Sequence, residues 1–424
     1  MSGTLELAAE WLDRGAYTPP DPTAARLRIA IDGLVATRAE NRWSQTLVEA
    51  VPLSAGPLAA WLVGAWWRLR HEPEWPTAPA PVDWRMAHEV AAAGNGFLWP
   101  RLRLVCDGSS MEFDCIPSDP RSREMLSYVA DFRTHLPVVR FEQAVDDFVE
   151  LVLERMASVG VRCDLAAAWE AVRADRRDPV RSARRRIEAM MGFDPDEAPR
   201  DVLAEVTELG QRAGDGGEVA AICAVSTPAA LRAAVASASL SARLALRGNV
   251  APAGTDEPPH QRGYQLARWA RAEANLRPGV PVRDADLADL LGMTCETLLS
   301  SRDGGLAPAT VLVRGPDDAR VLFRDRRARG RRFDAARLIG DALGAPELPW
   351  QLTADTKTAR QKLQRAFAAE FLAPIATLHE RLDEAPTEDE VTEVADWLGV
   401  GERLVRSQLV NHGAVAWDRW SLPA

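Results

Sequence analysis

A fourteen-residue stretch past the middle of the chain, GNVAPAGTDEPPHQ (248–261), is the feature that most limits how the polypeptide can fold. It is rich in Gly and Pro and carries no apolar period, so neither a helix nor a strand is expected to run through it. With 424 residues and roughly 150 residues per domain, two or three domains are expected. The sequence divides accordingly into a Trp-rich N-terminal α/β region (1–140), a helical region (141–247), the linker (248–261) and a C-terminal domain (262–424). The expected fold class is α+β, mainly helical and multi-domain.

Composition narrows the function classes. Hydrophobic residues make up 47% and charged residues 26%, the balance of a chain that buries a core. The formal net charge of −10 argues against a general nucleic-acid coat protein and leaves room for one local basic face. Five cysteines, Cys106, Cys115, Cys163, Cys223 and Cys295, are scattered without a C-x-x-C pair. That pattern fits reduced thiols in a cytoplasmic protein better than a disulfide scaffold or a zinc ribbon. The opening MSGTLELAAEWLDRG has no basic segment followed by an apolar one, so no secretory signal is expected. Ala50 to Trp67 is uncharged, but Pro52, Ser54 and Pro57 interrupt it, and its dense apolar part suits a buried helix rather than a membrane span.

Local patterns supply candidate elements. The N-terminal region holds Trp11, Trp43, Trp61, Trp66, Trp67, Trp75, Trp84 and Trp99, a cluster expected to fill a core. Helical patterns are read at 22–50 and 57–70. A hairpin is expected at RLRLVC–DGSS–MEFDCI, with Asp107-Gly108 in the turn. From 141 the chain reads as helical, with Phe141, Val145, Phe148, Val152 and Met156 on one stripe. Further helices are read at 165–174, 180–191 and 201–212, and from Thr227-Pro228 to about Arg247. The Arg-rich stretch 173–186 is interspersed with Asp175 and Asp178 and reads as a solvated face.

The C-terminal third carries the most specific signal. Helices are expected near 262–275 and 284–291, then strands TVLVRG and ARVLFRD, a helix over 331–343, a loop, a helix over 356–371 and two short helices near 387–411. Residues 331–343, RRFDAARLIGDAL, and 361–374, QKLQRAFAAEFLAP, together resemble the ImmA/IrrE family of zinc metallopeptidases. Arg332-Phe333 and Gly340 match that family's first motif helix. Phe367-Ala368-Ala369-Glu370-Phe371-Leu372 with Pro374 matches its second, and the resemblance spans about 262–413. It implies a zincin-like domain of a small sheet plus helices, and a role in stress response or mobile-element control. The implied partner is a protein, with helix-turn-helix regulators the type that active members cleave.

The chemistry departs from that pattern. An H-E-x-x-H helix presents two His nitrogens to one Zn²⁺, and its Glu activates the bound water. Here the two His positions hold Arg337 and Asp341, and the Glu position holds Leu338. Guanidinium has no lone pair to offer a cation, and Leu cannot take a proton. No catalytic residue, metal ligand or cofactor is therefore expected at this motif. Arg337 and Asp341 are expected to pair one turn apart, either facing solvent or keeping a former peptide cleft polar.

Two further features bear on partners. Arg320, Arg324, Arg326, Arg327, Arg329, Arg331 and Arg332 form the densest positive run, with Asp325 the only acid among them. Of these, Arg326, Arg327, Arg329, Arg331 and Arg332 are the candidate protein-binding residues. The spacings Ala288/Gly292/Leu298 and Ala395/Gly399/Val405 fit helix-turn-helix pairs. In the second, Arg403, Arg406 and Asn411 are candidate nucleic-acid contacts, opposed by the acidic stretch from Glu380 to Asp396. Three functions remain open: a non-catalytic protein-binding or regulatory factor, a peptidase with shifted ligands, and a DNA-binding regulator. No membrane association is expected.

Overall fold

The computed structural model describes residues 3–13, 21–245, 257–277, 279–300, 307–315, 318–325 and 327–415. It is an α+β protein with seventeen α-helices and four small antiparallel sheets among these residues. The chain forms two compact units, Met1–Trp75 with Pro79–Pro199, and Pro76–Ala78 with Arg200–Ala424. The helical stretch 141–247 is therefore shared between the units, and the domain boundary falls near 199. No single helix among the described residues is long and apolar enough to cross a membrane.

The first unit begins with strands β1 (Leu5–Trp11), β2 (Ala24–Ile31), β3 (Leu34–Val35), β4 (Ala39–Asn41), β5 (Thr46–Val48) and β6 (Val51–Ser54). Helices α1 (Ala55–Gly64), α2 (Trp66–His71) and α3 (Val82–His88) follow. Then come β7 (Arg101–Cys106), β8 (Ser110–Ile116), β9 (Leu126–Tyr128), β10 (Phe132–Pro137), α4 (Val138–Ser158), α5 (Leu165–Arg177) and α6 (Pro179–Met190). The helical expectation for 22–50 is wrong. In β2 the residues Leu27, Ile29 and Ile31 point inward while Arg26 and Arg28 alternate with them, a period of two that suits a strand. The 101–116 hairpin forms as read: Gly108 has φ +102°, and Asp107 Oδ1 accepts from the amides of Ser109 and Ser110.

Trp66, Trp67, Trp84 and Trp99 are buried, and Trp66 meets Phe141 and Trp169 in this unit's core. Trp11, Trp61 and Trp75 are half-buried, and Trp43 is 84% exposed. The Arg run of α5 and α6 is neutralised on its own surface: Arg173 pairs with Glu150, Arg176 with Asp146, and Arg185 with Asp175, Glu188 and Asp196.

The second unit opens with α7 (Arg200–Ala213), α8 (Gly216–Ala224), α9 (Pro228–Ala236) and β11 (Leu240–Ala242). The helix expected to continue to Arg247 thus stops at Ala236. Beyond the linker come α10 (Pro259–Glu273), α11 (Asp284–Leu291), α12 (Cys295–Leu299), β12 (Thr310–Arg314), β13 (Ala319–Leu322) and α13 (Ala328–Gly344). The unit ends with β14 (Trp350–Thr353), α14 (Ala359–Leu372), α15 (Ile375–Arg381), α16 (Glu388–Leu398) and α17 (Glu402–Asn411). The expected linker is outside the described residues up to 256, and α10 starts inside its last residues.

One antiparallel sheet, ordered β11-β13-β12-β14, packs with α13 at the core of this unit. Helices α13 and α14 meet closely because Gly340 has no side chain: a Cβ there would lie 2.5 Å from the Phe367 ring. The two motif helices are thus joined at the Gly and the Phe that stood out in the sequence. Glu370 of the second motif is buried and works structurally. It accepts from Arg268 Nε at 2.9 Å, from the Ile375 amide at 3.2 Å and from Gln408 at 3.2 Å, tying α10, α15 and α17 to α14.

Candidate functional site

Arg337 and Asp341, the two residues expected to pair with each other, both reach β14, a strand read from the sequence as loop. In an antiparallel pair alternate residues direct their N–H and C=O toward the partner strand, and the intervening residues direct theirs outward. β14 pairs with β12 on one side. Its other side presents the backbone of Trp350, Leu352 and Ala354, which is buried and would be costly to leave unpaired, at about 1–3 kcal/mol per group.

Side chains satisfy this outer row. Arg360 Nη2 donates to the Trp350 carbonyl at 3.0 Å, and Asp341 Oδ2 accepts from the Leu352 amide at 3.3 Å. The Leu352 carbonyl takes Gln361 Nε2 at 2.7 Å and Gln364 Nε2 at 3.0 Å. Gln361 Oε1 accepts from the Ala354 amide at 3.0 Å, and Arg337 Nη2 donates to the Ala354 carbonyl at 2.6 Å. Five side chains from α13 and α14 thus meet the Trp350 carbonyl and both backbone groups of Leu352 and Ala354.

The sequence builds this row through helix spacing. Asp334, Arg337 and Asp341 recur at three and four residues, so one face of α13 carries all three toward the sheet. On α14, Arg360, Gln361 and Gln364 occupy the first two turns behind the N-cap Thr358, whose hydroxyl accepts from the Gln361 amide at 3.2 Å. Asp334 in turn accepts from Thr310 Oγ1 at 2.6 Å. Burial raises its carboxyl above the usual range, with Arg337 and Arg324 opposing that shift.

Arg337 and Asp341 do not pair with each other, and neither faces solvent. Both expectations fail for one reason: each has a stronger partner across the groove. Asp341 holds Arg360 through both oxygens, at 2.8 and 2.7 Å. Arg337 is also bonded to Gln361 Oε1, and Asp334 lies 3.9 Å away on its own helix. Burial pushes Arg337 below its ordinary value, with Asp334 opposing. Burial also acts against the charge of Arg360, but Asp341, Glu218 and Asp215 outweigh it and hold that guanidinium above its ordinary value.

Helix α8 reaches the same place. Glu218 is buried and accepts from Thr358 Oγ1 and Gln361 Nε2, both at 2.7 Å. Asp215, the α8 N-cap, pairs with Arg360 at 3.1 Å. Desolvation raises the Glu218 carboxyl above its ordinary value, partly offset by Arg360. Neither residue stood out in the sequence, because their partners lie more than a hundred residues away.

A zinc ion does not fit this donor set. Leu338 belongs to the hydrophobic core, Arg337 offers only donors, and Asp341 is occupied by Arg360. Among the described residues no cluster of three His, Cys, Asp or Glu could hold a metal ion.

The basic run is not a continuous surface. Arg331 and Arg332, both candidate partner-binding residues, are 1% and 7% exposed and act inside the protein. Arg331 donates to the carbonyls of Asp325 and Leu298. Arg332 donates to the carbonyls of Val282, Leu398 and Gly399 and pairs with Asp284. Arg329 pairs with Asp396 at 2.6 Å, Arg324 with Asp355 at 2.6 Å, Arg327 is exposed, and Arg326 lies outside the described residues.

Both helix-turn-helix spacings form tight helix pairs, with Gly292 and Gly399 left-handed at φ +62° and +66°. Arg332 links the two pairs. Of the proposed nucleic-acid residues, Arg403 and Asn411 are exposed, whereas Arg406 is half-buried and neutralised by Glu388 and Glu402. Acids thus occupy the cation that would have met phosphate.

In comparison with known proteins, no family model, no curated protein and no solved structure matches this chain.

Proposed function

We propose that the chain is a non-catalytic protein-binding or regulatory factor whose C-terminal unit is related to the ImmA/IrrE peptidases and has lost their metal chemistry. One observation carries the proposal. Arg337 and Asp341, which stand where the family would have ligands, are spent on the backbone of β14 and on Arg360, so neither is left to hold a metal ion. With no ligand set and no general base, hydrolysis has no route through this motif. A protein partner, such as a helix-turn-helix regulator, would then be held and not cut. The test is zinc content per chain in protein purified without chelators, with a casein hydrolysis assay on the same sample. Zinc well below one per chain and no cleavage are expected. Stoichiometric zinc with cleavage that follows it overturns the proposal and leaves the peptidase reading in its place.

A further inference from the structure

We infer that the free edge of β1 is a docking site for an extended segment of a protein partner, one that alternates basic and small aliphatic residues. The site lies in the first unit, so the inference goes beyond the function proposed above and does not depend on it.

The parity of the β1–β2 ladder exposes the edge. The Asp32 amide donates to the Thr4 carbonyl at 2.9 Å and the Leu12 amide to the Ala24 carbonyl at 2.8 Å. Between them the register runs from Leu5 opposite Ile31 to Trp11 opposite Ala25. Alternation then turns the backbone of Glu6, Ala8 and Glu10 toward β2, and that of Leu5, Leu7, Ala9 and Trp11 away from it. Among the described residues no second strand pairs with β1, and the N–H and C=O groups of those four outward residues make no other hydrogen bond. Their side chains lie on the core face of the sheet, yet all four remain half-buried, whereas Leu27, Ile29 and Ile31 of β2 on that face are at most 2% exposed. Solvent therefore reaches the edge. The strand is fixed at both ends, by Asp32 Oδ1 accepting from the Thr4 amide at 2.8 Å and by Arg155 of α4 reaching the Leu12 carbonyl and the Trp11 ring.

Three features of the edge decide what fits it. Outward N–H and C=O groups in alternation are complemented by the main chain of another strand. Beside them a small cavity, lined by apolar side chains, runs from β1 to Phe113 and Phe141. Leu5, Leu7 and Trp61 are the residues of its lining that are not fully buried, so it opens at the edge. It lies on the face to which residues opposite Leu5 and Leu7 would point, and it suits a compact aliphatic side chain. On the other face stand Glu6 and Glu10, both exposed. Arg28 pairs with Glu6 from β2, and Glu10 has no ion pair among the described residues. Opposite charges on facing residues stabilise a strand pair and like charges oppose it. A second copy of β1 brings two more acids and no cation, whereas a segment with Lys or Arg at alternate positions meets Glu6 and Glu10.

Residue-resolved amide hydrogen exchange on the full chain tests both the edge and its occupant. In the chain alone, the Leu5, Leu7, Ala9 and Trp11 amides should exchange at least about tenfold faster than those of Glu6, Ala8 and Glu10. An end-capped seven-residue peptide alternating Lys and Val should slow the four outward amides by at least about tenfold and leave the inward three unchanged. The same peptide with Glu in place of Lys should not. Ala9→Pro removes one outward N–H at an edge position that tolerates proline, and should keep the fold while abolishing the protection. If that variant does not fold, Glu10→Lys, on the exposed face, carries the test and should weaken binding of the Lys-Val peptide severalfold. Outward amides as slow as the inward ones in the chain alone mean that the edge is already covered, and overturn the inference. So does the absence of protection in millimolar Lys-Val peptide, or equal protection by the Glu-Val peptide. Protection that rises with protein concentration alone identifies a second copy as the occupant and overturns the assignment to a partner.

Discussion

Replacing Asp341 by Ala gives the sharpest test of the electrostatics at β14. Its side chain is 1% exposed, grips Arg360 through both oxygens and accepts from the Leu352 amide. Removing one partner of a buried ion pair generally costs about 3–5 kcal/mol, because the other charge stays desolvated. Arg360 keeps Asp215 and the Trp350 carbonyl and is 13% exposed, which places the cost toward about 3 kcal/mol. For a unit of this size, roughly 2–4 °C per kcal/mol translates that into a fall of about 6–12 °C in Tm. Differential scanning calorimetry of the full chain would follow the transition that moves. Replacing both charges, Asp341→Leu with Arg360→Met, should recover part of the loss, since the desolvated guanidinium goes while Asp215 and Glu218 lose it as a partner. A shift below about 2 °C for Asp341→Ala would refute the reasoning, because it would mean the carboxylate is solvated and Arg360 independent of it.

Two other outcomes follow from the same packing and charge arguments. The His71 imidazole, stacked on Trp67, is pushed down to about 3 by burial, with Arg70 and Arg186 adding to the effect. Its folded value lies below its unfolded one, so the folded state binds fewer protons and stability should fall as pH drops from 6.5 toward 3, by up to about 1.4 kcal/mol per pH unit. Chemical denaturation of wild type and His71→Phe across that range should show a flatter acid limb for the variant, and parallel curves would count against the assignment. Gly340→Ala should destabilise by about 1–3 kcal/mol in the same assay, since its Cβ would meet the Phe367 ring at 2.5 Å. Gly344→Ala on the same helix meets Leu363 at 3.5 Å and Leu266 at 3.9 Å, ordinary contacts, and should be neutral or slightly stabilising.

Elements with a long local period were legible in the sequence. The stripe on α4, the Asp107-Gly108 turn, the two motif helices and the Gly-hinged pairs at Gly292 and Gly399 all formed where short-range spacing placed them. Of the short strands in the second unit, β12 and β13 were read and β11 and β14 were missed. β11 (LSA) and β14 (WQLT) are short and, unlike β12 and β13, lack a run of β-branched or aliphatic residues, so they exist because the sheet beside them supplies hydrogen bonds. The second unit begins at Arg200 because α7, α8, α9 and β11, all before the linker, pack with the sheet and helices beyond it. The 22–50 stretch was misread since apolar residues are frequent enough there to fit a helical template, while the alternation in β2 is the signal that mattered.

By itself the sequence determined that Arg337 and Leu338 can serve neither as metal ligand nor as general base, whereas Asp341 is a carboxylate whose role the fold had to decide. Ligand chemistry belongs to residue type, and no fold turns Arg337 or Leu338 into a metal donor. What those residues do instead was decided by tertiary structure alone. Asp341 and Arg360 are nineteen positions apart, Gln361 and Glu218 are 143 apart, and Arg331 and Arg332 look like surface charge until the helix that carries them is buried. A buried charge takes its role from whichever partner satisfies it, and chain folding, not chain order, selects that partner.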